Sequence, residues 1–320
     1  MDFLRPYQQA KIGEGKIKVA SIDIGTNTIR CLIAEVFLNG IKPIQIFREI
    51  VRLGEGLRDS GKLQREPVNR ALRVLKEFSI RIREAGVDHA AAVATSAVRE
   101  GDSAGNFMDE AESLLGFPVE VITGEREAHL TALGVQGGIG PVENGIVVDI
   151  GGGSTEIVRL KSGSVVWTTS LDAGVVHLTE KYLQTDPPAE AEIQRLKQSV
   201  SVLIQEMTEG GGTFVGTAGT PTTLAALDLG IDEYDPTLVN GHVLTFNRLD
   251  ELAGILLGMR SKRRLDLPGM EKGREDLIVA GILMLLQFMD HWGYQELLVS
   301  DWGLLEGVAI DLANRTMTVS

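Results

Sequence analysis

Apolar positions along this chain keep two rhythms, and the rhythms alternate. Two hairpin-like pairs of β-branched runs lie at 19–36 and 145–160, each followed by a third strand-like run, at 44–51 and 164–171. After the first set comes a helix-period stretch over 67–85, a strand at 89–95, a helix reaching about 115 and a strand at 119–122. After the second come helices over 174–207, a strand at 213–216, more helices, and a last helix over about 303–315. Strands alternating with helices predict an α/β fold whose sheets are covered on both faces. The most apolar run, "LIVAGILMLLQFM" at 277–289, is shorter than the ~18–20 residues a membrane span needs and predicts a buried helix.

The two hairpins are the same sentence written twice. "VASIDIGTNTIRCLIAEV" aligns with "GIVVDIGGGSTEIVRL", placing Asp23 with Asp149, Gly25 with Gly151 and Thr28 with Ser154. Such a repeat, about one domain-length apart, predicts two similar halves facing each other across an interdomain cleft. The Gly/Pro stretch at 134–145 has linker character, which divides the chain into 1–135 and 136–302, with the segment 303–320 returning to the first half. Glycine inside a strand-rich run loses entropy and packing, so something must approach that backbone closely. Turns of this kind expose N–H groups that form anion-binding concavities.

Composition narrows the classes. With 320 residues, 43% hydrophobic and 23% charged, the chain fits two ordinary globular domains. A net charge of −13 argues against nucleic-acid binding. The first nineteen residues lack the apolar core of a leader, and the single cysteine, Cys31, has no internal partner; a cytoplasmic protein with no membrane association is expected. Positive charge concentrates at 259–276, in Arg260, Lys262, Arg263, Arg264, Lys272 and Arg274. That cluster is either a solvated loop or a grip for a polyanion.

Candidate chemistry gathers at the turns. Asp149 and Glu156 bracket the second one and either converge on a hard cation such as Mg²⁺ or serve as turn cap and solvated strand residue. Thr95 and Ser96 are candidate caps of a helix that places Arg99 near its start, suited to grip a phosphate or to pair with Glu100 or Asp102. Glu125 and Glu127 fall in the first turn of the helix after "VITGEREAHL", where the helix dipole favours carboxylates and a cleft residue would orient water. In "VGTAGTPTTLAAL" a helix start would receive a phosphate or nucleotide, or Thr220 caps it ahead of Pro221. The histidines, His89, His129, His177, His242 and His291, show no metal spacing.

Taken together, "DIGTNTIR", "LGEGL", "ATSAVREGDSAGNF", "ITGEREA", "DIGGGSTE", "GTAGT", "PGMEKGREDLIVAG" and "SDWGLLEG" resemble the exopolyphosphatase / guanosine pentaphosphate phosphohydrolase (Ppx/GppA) family, over about residues 17–310. The resemblance implies two duplicated actin-like (ribonuclease H-like) domains and hydrolysis of a terminal phosphoanhydride, on polyphosphate or on guanosine pentaphosphate (pppGpp). It implies Glu127 as the catalytic carboxylate, Asp149 and Glu156 at a Mg²⁺-type cation, and Arg99 on substrate. Gly25, Asn27, Thr28, the backbone of Gly151, Gly152, Gly153 and Ser154, and Arg274 would contact phosphate. Arg126, His177 and Leu305 depart from the family pattern, the first from a frequent Glu and the other two from a frequent Arg. The length suits the short two-domain form, and by analogy a homodimer would share a basic groove for a long polymer. The alternatives are a small-molecule kinase of the same superfamily, which needs an adenosine site around 215–227, and a non-catalytic nucleotide sensor.

Overall fold

A computed structural model describes residues 17–37, 40–101, 104–207 and 210–319; the N-terminal stretch up to residue 16 and Asp102, both weighed above, lie outside it. The first half runs β1 (Lys18–Ile24), β2 (Thr28–Phe37), β3 (Gly40–Ile50), α1 (Leu57–Ser60), α2 (Arg65–Glu84), β4 (His89–Ala94), α3 (Ser96–Glu100), α4 (Ala104–Leu115), β5 (Val119–Val121) and α5 (Gly124–Ile139). The second opens with β6 (Asn144–Ile150), β7 (Thr155–Lys161), β8 (Ser164–Leu171), α6 (Val175–Tyr182), α7 (Glu190–Ile204), β9 (Thr213–Thr217) and α8 (Gly219–Leu229). It ends with α9 (Pro236–Val239), β10 (Val243–Thr245), α10 (Phe246–Leu257), α11 (Ser261–Arg264), α12 (Ile278–Trp292), β11 (Glu296–Val299) and α13 (Leu304–Val319).

The strands form two mixed sheets, in the orders β3-β2-β1-β4-β5 and β10-β11-β9-β6-β7-β8. Stripped of β10, the second order repeats the first: two antiparallel hairpin steps, then two parallel crossovers. Even the register shifts recur, at Ile33/Ala34 and Arg159/Leu160, the same offset from Asp23 and Asp149. This is the duplicated α/β architecture that the repeated hairpins predict.

Period-two alternation decides what each strand residue meets. In β1, Ala20, Ile22 and Ile24 face a core with α2 and α4, while Val19 faces α13 through Leu305, Ala309 and Ala313. In β6, Ile146, Val148 and Ile150 face the helices of the second half, including the almost wholly buried α12, while Val147 faces α5 through Ala128, Ala132 and Val135. Helices α5 and α13 therefore lie between the sheets and pack on each other, and α13 also covers β1, β2 and β4. Asp23 and Asp149 share the inward alternation class with Val19 and Val147, so both point to the middle of the molecule.

One expectation fails here. Residues 134–139, read as linker, are the last turns of α5. Their glycines serve contact: a Cβ on Gly134 would sit 1.9 Å from the Gly303 carbonyl oxygen, and one on Gly138 2.7 Å from Trp302. Glycine lowers helix propensity by ~1 kcal/mol, and the close crossing with the start of α13 outweighs that local penalty.

Candidate active site

Asp23 and Asp149 end β1 and β6, and the turns behind them touch. A Cβ on Gly152 would lie 3.0 Å from Thr26 Cβ, and one on Gly153 2.1 Å from Ser96 Oγ and 2.8 Å from Thr26 Oγ1. None of Gly25, Gly151, Gly152 and Gly153 has a positive φ. Gly152 and Gly153 are therefore required by the approach of the opposite lobe, whereas a Cβ on Gly25 or Gly151 would crowd its own turn, at the carbonyl oxygens of Thr28 (2.9 Å) and Ser154 (3.0 Å). Between the turns lies a cleft of about 90 Å³, lined by Gly25, Asn27, Thr28, Glu127, Asp149, Gly151, Gly152, Gly153, Ser154 and Arg274, together with Arg30 and Arg48.

Three buried carboxylates crowd its inner side. Glu127 sits in the first turn of α5, whose N-cap Thr123 accepts the Arg126 N–H at 3.2 Å. Asp149 accepts from Thr131 Oγ1 at 3.0 Å, so α5 holds two members of the trio's surroundings. Glu156 pairs directly with Asp149 across the β6–β7 register, is only 1% exposed, and accepts from Ser170 Oγ at 2.7 Å. It stands behind the cleft wall rather than in it. Burial, then the negative charge of Glu156 and Asp149, holds the Glu127 carboxyl well above its ordinary range, against the pull of Arg99. Burial and Asp149 raise Glu156 to about 7. Burial raises Asp149 as well, opposed by Arg30 and Thr131.

Arg99 is tied to Glu127, a residue of the cleft wall. It lies in the last turn of the five-residue α3, and Thr95 at the N-cap makes no side-chain cap bond. Arg99 Nη1 donates to the Ile122 carbonyl at 2.8 Å and to Glu127 Oε2 at 3.3 Å, and the residue does not line the cleft. The cleft's cations are others. Arg30 is the register partner of Asp23, as Glu156 is of Asp149, and donates two hydrogen bonds to Asp23 Oδ2 at 2.7 and 3.1 Å. The duplicated hairpin thus carries a guanidinium in one copy where the other carries a carboxylate. Aligning "DIGTNTIR" with "DIGGGSTE" to the eighth residue would have revealed this reversal. Asp23 Oδ1, Asn27 Oδ1 and Thr26 Oγ1 are buried with no hydrogen-bond partner.

At the far wall, α8 starts from Ala218, not Thr220, at φ 69° and ψ −165°, a region nearly exclusive to glycine. Strain of this kind marks ligand clamps, and Ala218 lines the cleft. Gly219 follows because Arg274 lies flat against it: a Cβ there would be 1.6 Å from Arg274 Nη1. The basic cluster is split. Arg264 is buried and donates to the carbonyls of Leu256, Met259 and Glu275, Arg274 enters the cleft, and Arg260, Lys262, Arg263 and Lys272 are exposed.

The positions that depart from the family pattern have separate fates. Arg126 donates to Asp311 of α13 at 2.6 Å, and Leu305 is core. His177 is 1% exposed beneath Gly153, and neither ring nitrogen has a hydrogen-bond partner. With Glu100 and Asp172 it forms, among the described residues, a group whose ligand atoms lie within 4.8 Å of one another, but Arg58 already holds Asp172 Oδ1 at 2.7 Å. Glu127, Asp149 and Glu156 offer hard oxygens only, but among the described residues they do not form a group whose ligand atoms all lie within 4.8 Å of one another.

Comparison with known proteins places these features. The model of the Ppx/GppA phosphatase family matches residues 32–316. Exopolyphosphatase 2 of Mycobacterium tuberculosis is 34% identical over 318 residues, covering 92% of this chain and 98% of that protein. The Ppx/GppA enzyme of Aquifex aeolicus superposes with a TM-score of 0.81 at 36% identity, over 93% of this chain and 100% of the other. An exopolyphosphatase from Cytophaga hutchinsonii superposes with a TM-score of 0.86 at 27% identity, over 93% and 98%.

Proposed function

Since this chain belongs to the Ppx/GppA phosphatase family and is thereby a phosphoanhydride hydrolase, we propose that it releases the terminal phosphate of inorganic polyphosphate by attack of a water aligned on Glu127. The terminal anhydride of pppGpp presents the same reacting group and falls under the same proposal. One observation carries this reading: a buried carboxyl with a raised pKa, Glu127, shares one cleft with both duplicated turns. An ordinary Glu is a weak base at neutral pH, and a raised one is matched to taking a proton from water. Arg99, itself anchored on the Ile122 carbonyl, donates to Glu127 and fixes its direction.

Attack forms one P–O bond from water and breaks the bridging P–O bond, with the water proton passing to Glu127 and the shortened chain leaving as an oxyanion. The N–H groups of the two turns and Asn27 hold the phosphoryl oxygens as charge moves onto them. Asp149 and Glu156 would hold a Mg²⁺-type cation, which supplies charge neutralisation at phosphate oxygens when bound. A kinase of the same superfamily would in addition need an adenosine site around 215–227 and a pocket for its acceptor.

Purified protein offered polyphosphate and pppGpp in parallel, with and without Mg²⁺, provides the test. Orthophosphate released in water alone, and only with the cation, is expected. Phosphate transfer that appears only after an acceptor is added would replace this reading with the kinase one.

A further inference from the structure

Arg30 and Arg48 are direct cross-strand partners in the β2–β3 pair. Like charges so placed repel, and Arg274 of the second lobe comes close enough to feel both. Arg30 is answered by Asp23. Arg48 and Arg274 are answered by a single atom, Glu271 Oε2, which accepts from Arg48 Nη1 at 3.3 Å and from Arg274 Nε in a very short contact. Arg48 also lies over the Tyr234 ring, 5.4 Å from its centroid, and Tyr234 Oη donates to Asp301. Both arginines line the cleft, one from each lobe, while Glu271 does not.

A carboxylate oxygen shared by two guanidiniums from opposite walls carries the charge of a phosphate contact, each arginine reaching it through one N–H. Burying Arg274 without an anion is unfavourable, so in the absence of a ligand some acid of the chain must take that place. We propose that Glu271 stands in for a substrate phosphate. The Arg48–Arg274 pair is the seat of the second phosphate of a linear phosphoanhydride chain, and Glu271 competes with it. The proposal rests on the hydrolase reading and names the residue that sets its grip beyond the terminal group. Glu271 is thus a specificity-determining residue, not a catalytic one.

The test is the KM for tripolyphosphate of Glu271→Gln, Arg48→Met and the double variant, with Mg²⁺ present. Removing the competing charge should lower KM about threefold, the scale of a partly exposed ion pair. Arg48→Met should raise it about tenfold, the scale of a charged hydrogen bond. In the double variant the gain from Glu271→Gln should vanish, since there is no longer a shared seat to vacate. A loosened fold would raise KM in every variant, so a lowered KM is specific to competition. An unchanged or raised KM in Glu271→Gln overturns the proposal; if that variant does not fold, an unchanged KM in Arg48→Met does so. Wild-type protein that releases no orthophosphate from tripolyphosphate overturns the hydrolase reading itself, a result the variants do not mimic.

Discussion

At the scale of single residues, the site gathers carboxyls whose ionisation burial opposes. Glu127, Asp149 and Glu156 are buried together with raised pKa values. Glu306, in the first turn of α13, belongs to the same electrostatic centre: burial pushes it to about 7 in spite of Arg30 and the Gly303 N–H that it accepts at 2.8 Å. A carboxyl raised on folding binds more protons in the folded state between its unfolded and folded pKa values. Its contribution is complete below the unfolded pKa, ~4.3, and is lost as pH rises through about 7. The loss is on the order of 3 kcal/mol. Glu306→Gln should therefore flatten the decline in unfolding free energy between pH 5 and pH 8, measured by urea titration at each pH. A slope equal to wild type would show that Glu306 is ionised without penalty.

Elements are held in place by the α5–α13 crossing, where glycine replaces side chains. A Cβ on Gly307 would lie 1.8 Å from the Leu130 carbonyl oxygen. In most helices Gly→Ala stabilises by up to ~1 kcal/mol. Gly307→Ala should instead destabilise by ~1–3 kcal/mol, the range for overpacking. Gly254→Ala on α10, where nothing lies within 4 Å, should show the ordinary gain. Equal melting-temperature shifts for the two would remove the close crossing from the account. The same crossing explains what the sequence hid. Strand and helix rhythm announced β1 to β9 and the long helices, because half-buried elements carry their period in their own residues. The glycines at 134–139 looked like a linker because their reason is the start of α13, more than 160 residues away.

Across the whole molecule, a doubled hairpin makes the cleft and small departures from the doubling make it a site. The repeat of Asp, glycine turn and strand was legible in the chain, and Glu127, Asp149 and Glu156, singled out in the sequence, are brought close enough in the fold to raise one another's pKa. What was not legible depended on partners distant in sequence: Arg99 turned onto Glu127 within the first lobe, and Arg48 tied to Glu271 of the other lobe across 223 residues. Proximity within the folded chain, not residue type, assigns those roles.

The most direct test follows orthophosphate release from polyphosphate in ¹⁸O-labelled water by the wild type and by Glu127→Gln, with melting temperatures for both. One ¹⁸O atom per orthophosphate, and a kcat lowered by about 10²–10⁴ in the variant with its fold intact, is the predicted result. Near-wild-type turnover by Glu127→Gln, or orthophosphate without the label, would contradict it.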